Sequence, residues 1–389
     1  MFIHLIYSIS FSSFGPAFVD LTYTLDVSLQ LVSIFPTVLA VGHITGTLFG
    51  LIYKFFNRQL IITLLLYLMT LSSTSVPFTT TIWQYYLCAL GYGIGSGAWM
   101  TTYNVWLMEM WQDKSERVLF ISQLIYGIGA TIGPFIDAPY LTGDNQDITV
   151  AERKAKLFVP FVIIGGIQVI FPIIMTIMFF LHRYHKQNIL EDDTSAQSVD
   201  YKSKKLFDKS DPITKYTVVV LAAVSLASIN SLELVYFNFG STFFQKIPVH
   251  MSATIAANVI STLSSVYTAC QVINLGIALL INRNIMIAYH YVITSVAIIA
   301  LIFVQYSVPG VWVLAVIVGY GFSLLYPGIL ASVGTKLTIN NRVGTIIWFI
   351  SGAFNFVPPL ILGPLLESFP MIFVVTQVIY LIISAMFLI

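Results

Sequence analysis

The sequence predicts an all-α membrane protein with twelve transmembrane helices in two pseudo-symmetric six-helix bundles. Three observations carry this. The chain is 57% hydrophobic and 9% charged over 389 residues, with a mean hydropathy of +0.87, far from the composition of a soluble domain of that length. Its apolar text falls into stretches of about 20 residues, the length at which a helix crosses a ~30 Å hydrocarbon core. Finally, 13 of its 35 charged side chains lie between Arg183 and Lys215, which separates two apolar halves of nearly equal length.

The N-terminal bundle, 1–181, contains spans at roughly 2–21, 28–53, 58–76, 80–108, 117–138 and 157–181. A cytoplasmic linker at 182–213 leads to the C-terminal bundle, 214–389, with spans at roughly 214–240, 252–281, 284–305, 308–335, 341–365 and 369–389. Backbone polar groups cannot stay unsatisfied in hydrocarbon, so runs this long are helical, and none shows the short alternation of a barrel strand. Gly15-Pro16 and Asp20 inside the first run favour a retained helix over a cleaved signal peptide. Fourteen Lys and Arg residues fall on the side of the linker and four, Arg153, Lys154, Lys156 and Lys246, on the other. The positive-inside rule then places both termini in the cytoplasm and the 139–156 loop outside. Cys88 and Cys270 sit mid-span and imply no disulfide. A net charge of +1 offers no basic face to nucleic acid.

Local text recurs between the halves, as in a duplicated six-helix unit. Gly91-Tyr92-Gly93 returns as Gly319-Tyr320-Gly321, and Gly129-Ala130 with Pro134 returns as Gly352-Ala353 with Pro358. The run Gly91, Gly93, Gly95, Gly97 lies inside an apolar helix and so is no phosphate loop; as two overlapping Gly-x-x-x-Gly pairs it admits a close neighbour helix. Gly42, Gly46 and Gly50 form a similar stripe in the second span.

Glu233 is the carboxylate expected well inside a span, about seven residues from the outer end of the seventh. An acid there faces a cavity or a partner and marks a functional site by default; a protonated Glu that locks two helices is the structural alternative. Asn230 and Tyr236, three residues to either side, share its helical face. Tyr267, Gln271 and Asn274 run along the eighth span, and Trp348, Gly352 and Asn355 along the eleventh. Asn104, Gln123 and Tyr126 supply comparable groups from the first half. Asn and Gln both donate to and accept from hydroxyls, and aromatic rings cover apolar sugar faces, so this set suits a neutral polyhydroxylated solute. Single amides also serve as interhelical glue. The six His residues form no metal-binding motif and no catalytic constellation assembles, so no enzyme and no cofactor is expected. His43 reads as a packing residue.

The repeat and the 6+6 layout resemble the major facilitator superfamily. Its loop signature after the second helix corresponds to Gly46-Thr47-Leu48-Phe49-Gly50 followed by Tyr53-Lys54 and Asn57-Arg58, here without the acid. More specifically, the chain is similar to the sodium-dependent glucose transporter branch, the domain-containing protein 4 group. That similarity is carried by Gly15-Pro16 with Asp20, Asn104-Val105 with Trp111 and Asp113-Lys114, Gly129-Ala130 with Pro134, Glu233 with Tyr236, Tyr326-Pro327 and Gly352-Ala353. The resemblance implies hexose uptake, in some members driven by sodium, at a plasma membrane. Met100, Leu39, Asn274 and Gln123 stand where that group tends to carry charged or His side chains, which bears on ion and substrate and not on fold.

The expected protein is therefore a secondary transporter that works as a monomer in the bilayer by alternating access. Substrate binds through Asn104, Gln123, Gln271, Asn274 and Asn355 with aromatic cover from Tyr126, Tyr236 and Trp348. Glu233 couples transport to Na+ or a proton, and a sodium site there takes further oxygens from Asn230 and from carbonyls of a broken seventh helix. The alternatives are an uncoupled facilitator, a proton-coupled carrier of another solute, and a transporter-like receptor or scaffold that does not translocate.

Overall fold

The computed structural model describes the chain apart from Met1, 50–56, 112–114, Gln146, 182–211, Leu279, 337–340 and Ile389; a further set of helical side chains, Asn104 and Trp348 among them, is also outside the description. The 182–213 linker thus lies almost wholly outside the described residues.

All regular structure among the described residues is helical. The first span is interrupted: α1 (Phe2–Ser12) and α2 (Phe18–Leu25) replace the single run expected over 2–21. Pro16 has no N–H for the carbonyl of Ser12 and disfavours helix at Gly15, so the ladder stops there. The second span comprises α3 (Leu29–Val32) and α4 (Phe35–Thr47). Asn57 caps α5 (Arg58–Ser75) by accepting from the Gln59 and Leu60 amides. Then come α6 (Ile82–Trp111), α7 (Ser115–Asp137) and α8 (Val150–Leu181). The second half runs α9 (Pro212–Lys246), α10 (Ala253–Ile277), α11 (Arg283–Val304), α12 (Val308–Lys336), α13 (Asn341–Leu365) and α14 (Ile372–Met386). Seven stretches among the described residues are long and apolar enough to cross a membrane, and α1, the C-terminal part of α13 and α14 are shorter apolar helices. Val292, Val296, Ile299 and Phe303 form an exposed apolar stripe along α11, as expected of a helix whose outer solvent is lipid.

Helices α1 to α8 pack on one another, as do α9 to α14; α7 against α10, and α3 and α4 against α13, join the two groups. The glycine stripes do intragroup packing. A Cβ on Gly93 or Gly97 would strike the α4 backbone at Leu39 and His43, and one on Gly42 or Gly46 would strike α6 at Leu90 and Ile94. Gly91 and Gly95 face α5 instead, at Ser72 and Met69. One helix therefore presents two offset small-residue faces to two neighbours. His43 sits in this seam with Nδ1 3.1 Å from Ser96 Oγ.

The text repeat does not superpose residue on residue. Gly319 abuts α10 at Leu263 and Gly321 abuts α11 at Thr294. In the first group it is Gly93 that faces the second span and Gly91 the third. The same slip of two residues recurs in the fifth and eleventh spans. Gly127 meets Thr268 across the groups and Gly352 meets Ile44 across them, while Gly129 packs within its own group on Leu5 and Ser8.

Candidate functional site

Glu233 lies on α9, which continues to Lys246, so the acid is thirteen residues from that end, about 20 Å of helix at 1.5 Å per residue. That is deeper than the seven residues read from the sequence. The helix is unbroken through Asn230 and Glu233, so no freed carbonyls surround the carboxyl. The interruption expected of the seventh helix occurs in the first.

Glu233 is buried, and its Oε1 has no hydrogen-bond donor. Three tyrosines lie within electrostatic reach of the carboxyl: Tyr126 from α7, Tyr267 from α10 and Tyr326 from α12. Tyr267 stands within side-chain hydrogen-bonding reach of both Glu233 and Gln271. Gln271 Oε1 and Asn274 Oδ1 are likewise buried acceptors without a donor, although Asn274 Nδ2 donates to Ser323 Oγ at 2.8 Å. Tyrosines from α7, α10 and α12 thus come within reach of the Glu233 carboxyl, Gln271 is reached through Tyr267, and Asn274 lies two turns from Tyr267 along α10, against α12. Tyr126 also joins an aromatic cluster of the first group, with its ring 5.5 Å from His4 and 6.2 Å from Tyr7.

Other expected site residues fall elsewhere. Tyr236 is fully buried with its ring edge-on to Phe322 at 5.6 Å and to Phe373 at 5.0 Å, so it faces the core of its own group and not Tyr126. Asn355 Oδ1 accepts from Ser231 Oγ at 2.6 Å, tying α13 to α9. Gln123 is exposed, one turn before Gly127 on the α7 face that meets α10. Asn230 is half-buried, one turn from Glu233. The side chains of Asn104 and Trp348 lie outside the described residues. Tyr326 was not singled out as a site residue because it appears in the sequence only as an aromatic before Pro327.

Glu233 is not the lone buried acid. Asp20 on α2 pairs with Arg153 at 2.9 Å, the two side chains being 1% and 2% exposed. Asp20 also accepts from the Thr142 and Gly143 amides and the Thr142 hydroxyl. Arg153 Nη2 donates to Asn145 O at 2.6 Å, and its guanidinium lies 4.4 Å from the Tyr23 ring centre. Arg153, Lys154 and Lys156, expected in a loop, are in the first turns of α8. The two groups also touch at the 139–156 end. Lys246 contacts Asp144 at 3.0 Å and Phe18 packs edge-on to Phe239 at 5.7 Å across the groups, while within them Tyr23 donates to Asp144 at 3.1 Å and Lys246 lies 3.9 Å from Glu367. Toward mid-span Thr37 donates to Phe356 O and Ser261 to Thr131 O.

An all-helical chain of two joined helix groups, with long apolar spans and buried polar acceptors that lack donors, defines a polytopic membrane protein. The Major Facilitator Superfamily model matches residues 1–361, and the chain belongs to that family. It is an integral membrane protein of this transporter superfamily. A curated relative, sodium-dependent glucose transporter 1 of Danio rerio, is 22% identical over 395 residues, covering 94% of this chain; the chain spans 64% of that relative's own length. Among solved structures, a bacterial homologue of the human lysosomal transporter Spinster, inward-facing and unoccupied, aligns with a TM-score of 0.70 at 14% identity, over 99% of this chain and 94% of the other. The xylose transporter XylE of E. coli aligns at 0.69 and 11% identity, over 99% and 95%. The nucleoside transporter NupG aligns at 0.64 and 12%, over 99% and 97%.

Proposed function

We propose that the protein carries a small neutral polyhydroxylated solute, of the hexose class, by alternating access, with cation coupling through Glu233. The observation that supports this is the pair of buried acceptors without donors, Glu233 Oε1 and Gln271 Oε1, beside Tyr126, Tyr267 and Tyr326, with Asn274 Oδ1 a further unpaired acceptor on the same helix as Gln271. Buried acceptors left unpaired cost free energy until something donates to them. A ring of hydroxyls does so while its apolar face lies on the phenols. The named activity of the Danio rerio relative agrees with a hexose. Without a broken helix at Glu233, a cation there is held by the carboxylate, Asn230 and tyrosine hydroxyls. The protein acts as a monomer in the plasma membrane.

The test is uptake into proteoliposomes. Wild-type protein is expected to accumulate a labelled hexose against its gradient when an inward Na+ or proton gradient is applied. Glu233→Gln keeps shape but removes the charge, so it should reduce accumulation to the equilibrium distribution while solute exchange continues, because exchange needs only the rocking of the two groups. Accumulation at the wild-type level in Glu233→Gln rejects the coupling role. Exchange of no hexose, with counterflow of another solute, rejects the substrate class.

The proposed topology puts 182–213 inside and 139–156 outside. Gly143 is unsuited to a reporter cysteine, since its φ is +58° and a Cβ would lie 2.6 Å from Gln245 Oε1. Exposed Asp147 replaces it. In intact cells an impermeant thiol reagent should label Asp147→Cys and spare Ser198→Cys; the reverse pattern inverts the topology.

A further inference from the structure

Of the buried acids in the described residues, Asp20 is answered by Arg153 and Glu233 faces tyrosines, but Asp137 has no counter-charge and faces only the Ser13 hydroxyl. It ends α7 and is 0% exposed, and neither carboxyl oxygen has a hydrogen-bond donor. The hydroxyl facing it is that of Ser13, which gives its proton to Ile9 O at 3.0 Å. Ser12 also donates to Ile9 O, at 3.1 Å. One turn before Asp137, Gly133 brings α7 against this same segment: a Cβ there would meet Ile9 O at 2.5 Å, Ser13 Oγ at 3.1 Å and also Ser12 Oγ. The segment is the interruption between α1 and α2, where Pro16 leaves the Ser12 carbonyl without its helical donor.

The carboxylate faces one serine hydroxyl, and a second hydroxyl and the Ile9 carbonyl pack on Gly133 one turn away; every one of these groups can act as an acceptor. Such a set is hard oxygen chemistry and wants a cation. One carboxylate balances one positive charge, and no group of three or more His, Cys, Asp or Glu able to hold a metal is present among the described residues, which disfavours a divalent ion. We propose that Asp137, with Ser12 and Ser13 of the interrupted first span, is a binding site for a small monovalent cation, separate from Glu233. Gly15, two residues beyond Ser13, packs on the α9 backbone of the other helix group. Occupancy at Asp137 consequently bears on a segment that packs on the other helix group.

Among the described residues, the Ile9–Ser13 segment that faces Asp137 carries no charged side chain. From α1 come serines, from α2 and α8 the mutually paired Asp20 and Arg153, and from α6 Tyr92, whose hydroxyl donates to Tyr7 O. The first turns of α10, Ala253 to Ser261, carry no titratable group.

The experiment is a melting-temperature series on purified full-length protein in detergent, without solute. It compares NaCl, LiCl, KCl and choline chloride at equal ionic strength, and a pH series in choline chloride. The wild type should gain a few degrees from bound cation; Asp137→Asn and Glu233→Gln should each lose part of that gain, and the double variant should lose all of it. A gain specific to Na+ or Li+ assigns a metal cation, and a gain on acidification alone assigns a proton; both support the site. No response in the wild type overturns it. So does a wild-type response that Asp137→Asn retains in full and Glu233→Gln abolishes, which leaves the proposed function standing. If Asp137→Asn and Asp137→Ser both fail to fold under every condition, the carboxyl serves packing and the proposal also falls.

Discussion

Arg153→Ala is expected to cost about 3–5 kcal/mol of stability, the range for removing one partner of a buried ion pair. The reason is the environment of Asp20, which is 1% exposed and keeps the Thr142 and Gly143 amides but loses its counter-charge. Two loop carbonyls, Gly143 O and Asn145 O, lose their donor at the same time. Asp20→Ala should cost a similar amount, because it strands the guanidinium instead. The double variant Asp20→Ala/Arg153→Ala should be much less damaging than the sum, since neither charge is then left buried alone. Unfolding by denaturing detergent, followed by tryptophan fluorescence, gives the three values. Single losses below about 0.5 kcal/mol, the usual range for surface substitutions, would show that the pair is solvated.

Before folding, Arg153 is simply one of four basic residues on the sparsely charged side. Its burial depends on Asp20, 133 residues away, and no local pattern reports such a pairing. Asp137 is hidden for the same reason. In the text it ends an apolar span after Pro134, an ordinary place for an acid at a membrane boundary; only the packing of Gly133 on Ser12 and Ser13 encloses it. The spans themselves were legible because length and hydropathy decide them residue by residue. The interruption of the first was half legible: Gly15-Pro16 stood out, but hydropathy is continuous across it, so 2–21 reads as one helix. In the candidate site, the i, i+4, i+7 rule put Tyr267, Gln271 and Asn274 on one face. The three-residue spacing of Glu233 and Tyr236 misleads, because one face of α9 is wide enough for Glu233 to look toward α7 while Tyr236 looks toward Phe322 and Phe373.

Gly15→Ala is expected to impair transport through the conformational equilibrium, and Gly15→Val more so. The backbone at Gly15 does not adopt a left-handed conformation, so the residue is required by proximity alone. A Cβ there would lie 2.6 Å from Phe237 O, 2.7 Å from Asn238 O and 2.8 Å from Asn238 Cα. All three atoms belong to the backbone of α9, on the other side of the seam, and backbone cannot turn aside as a side-chain tip does. Relief comes from separating the groups at the 139–156 end, which also stretches the Phe18–Phe239 contact and the Lys246–Asp144 ion pair. Overpacking of this kind costs about 1–3 kcal/mol. If that cost falls only on the state closed at this end, the closed-to-open ratio shifts by roughly 5–150-fold. A cysteine pair at positions 144 and 246, in place of the ion pair, reports closure through a bifunctional thiol reagent long enough to span the lysine side chain it replaces. Cross-linking should be efficient with Gly15 present and fall with Ala and then Val, in step with the rate of solute exchange. Unchanged cross-linking together with lost exchange would place the damage inside the first helix group, and the seam would not be what Gly15 serves.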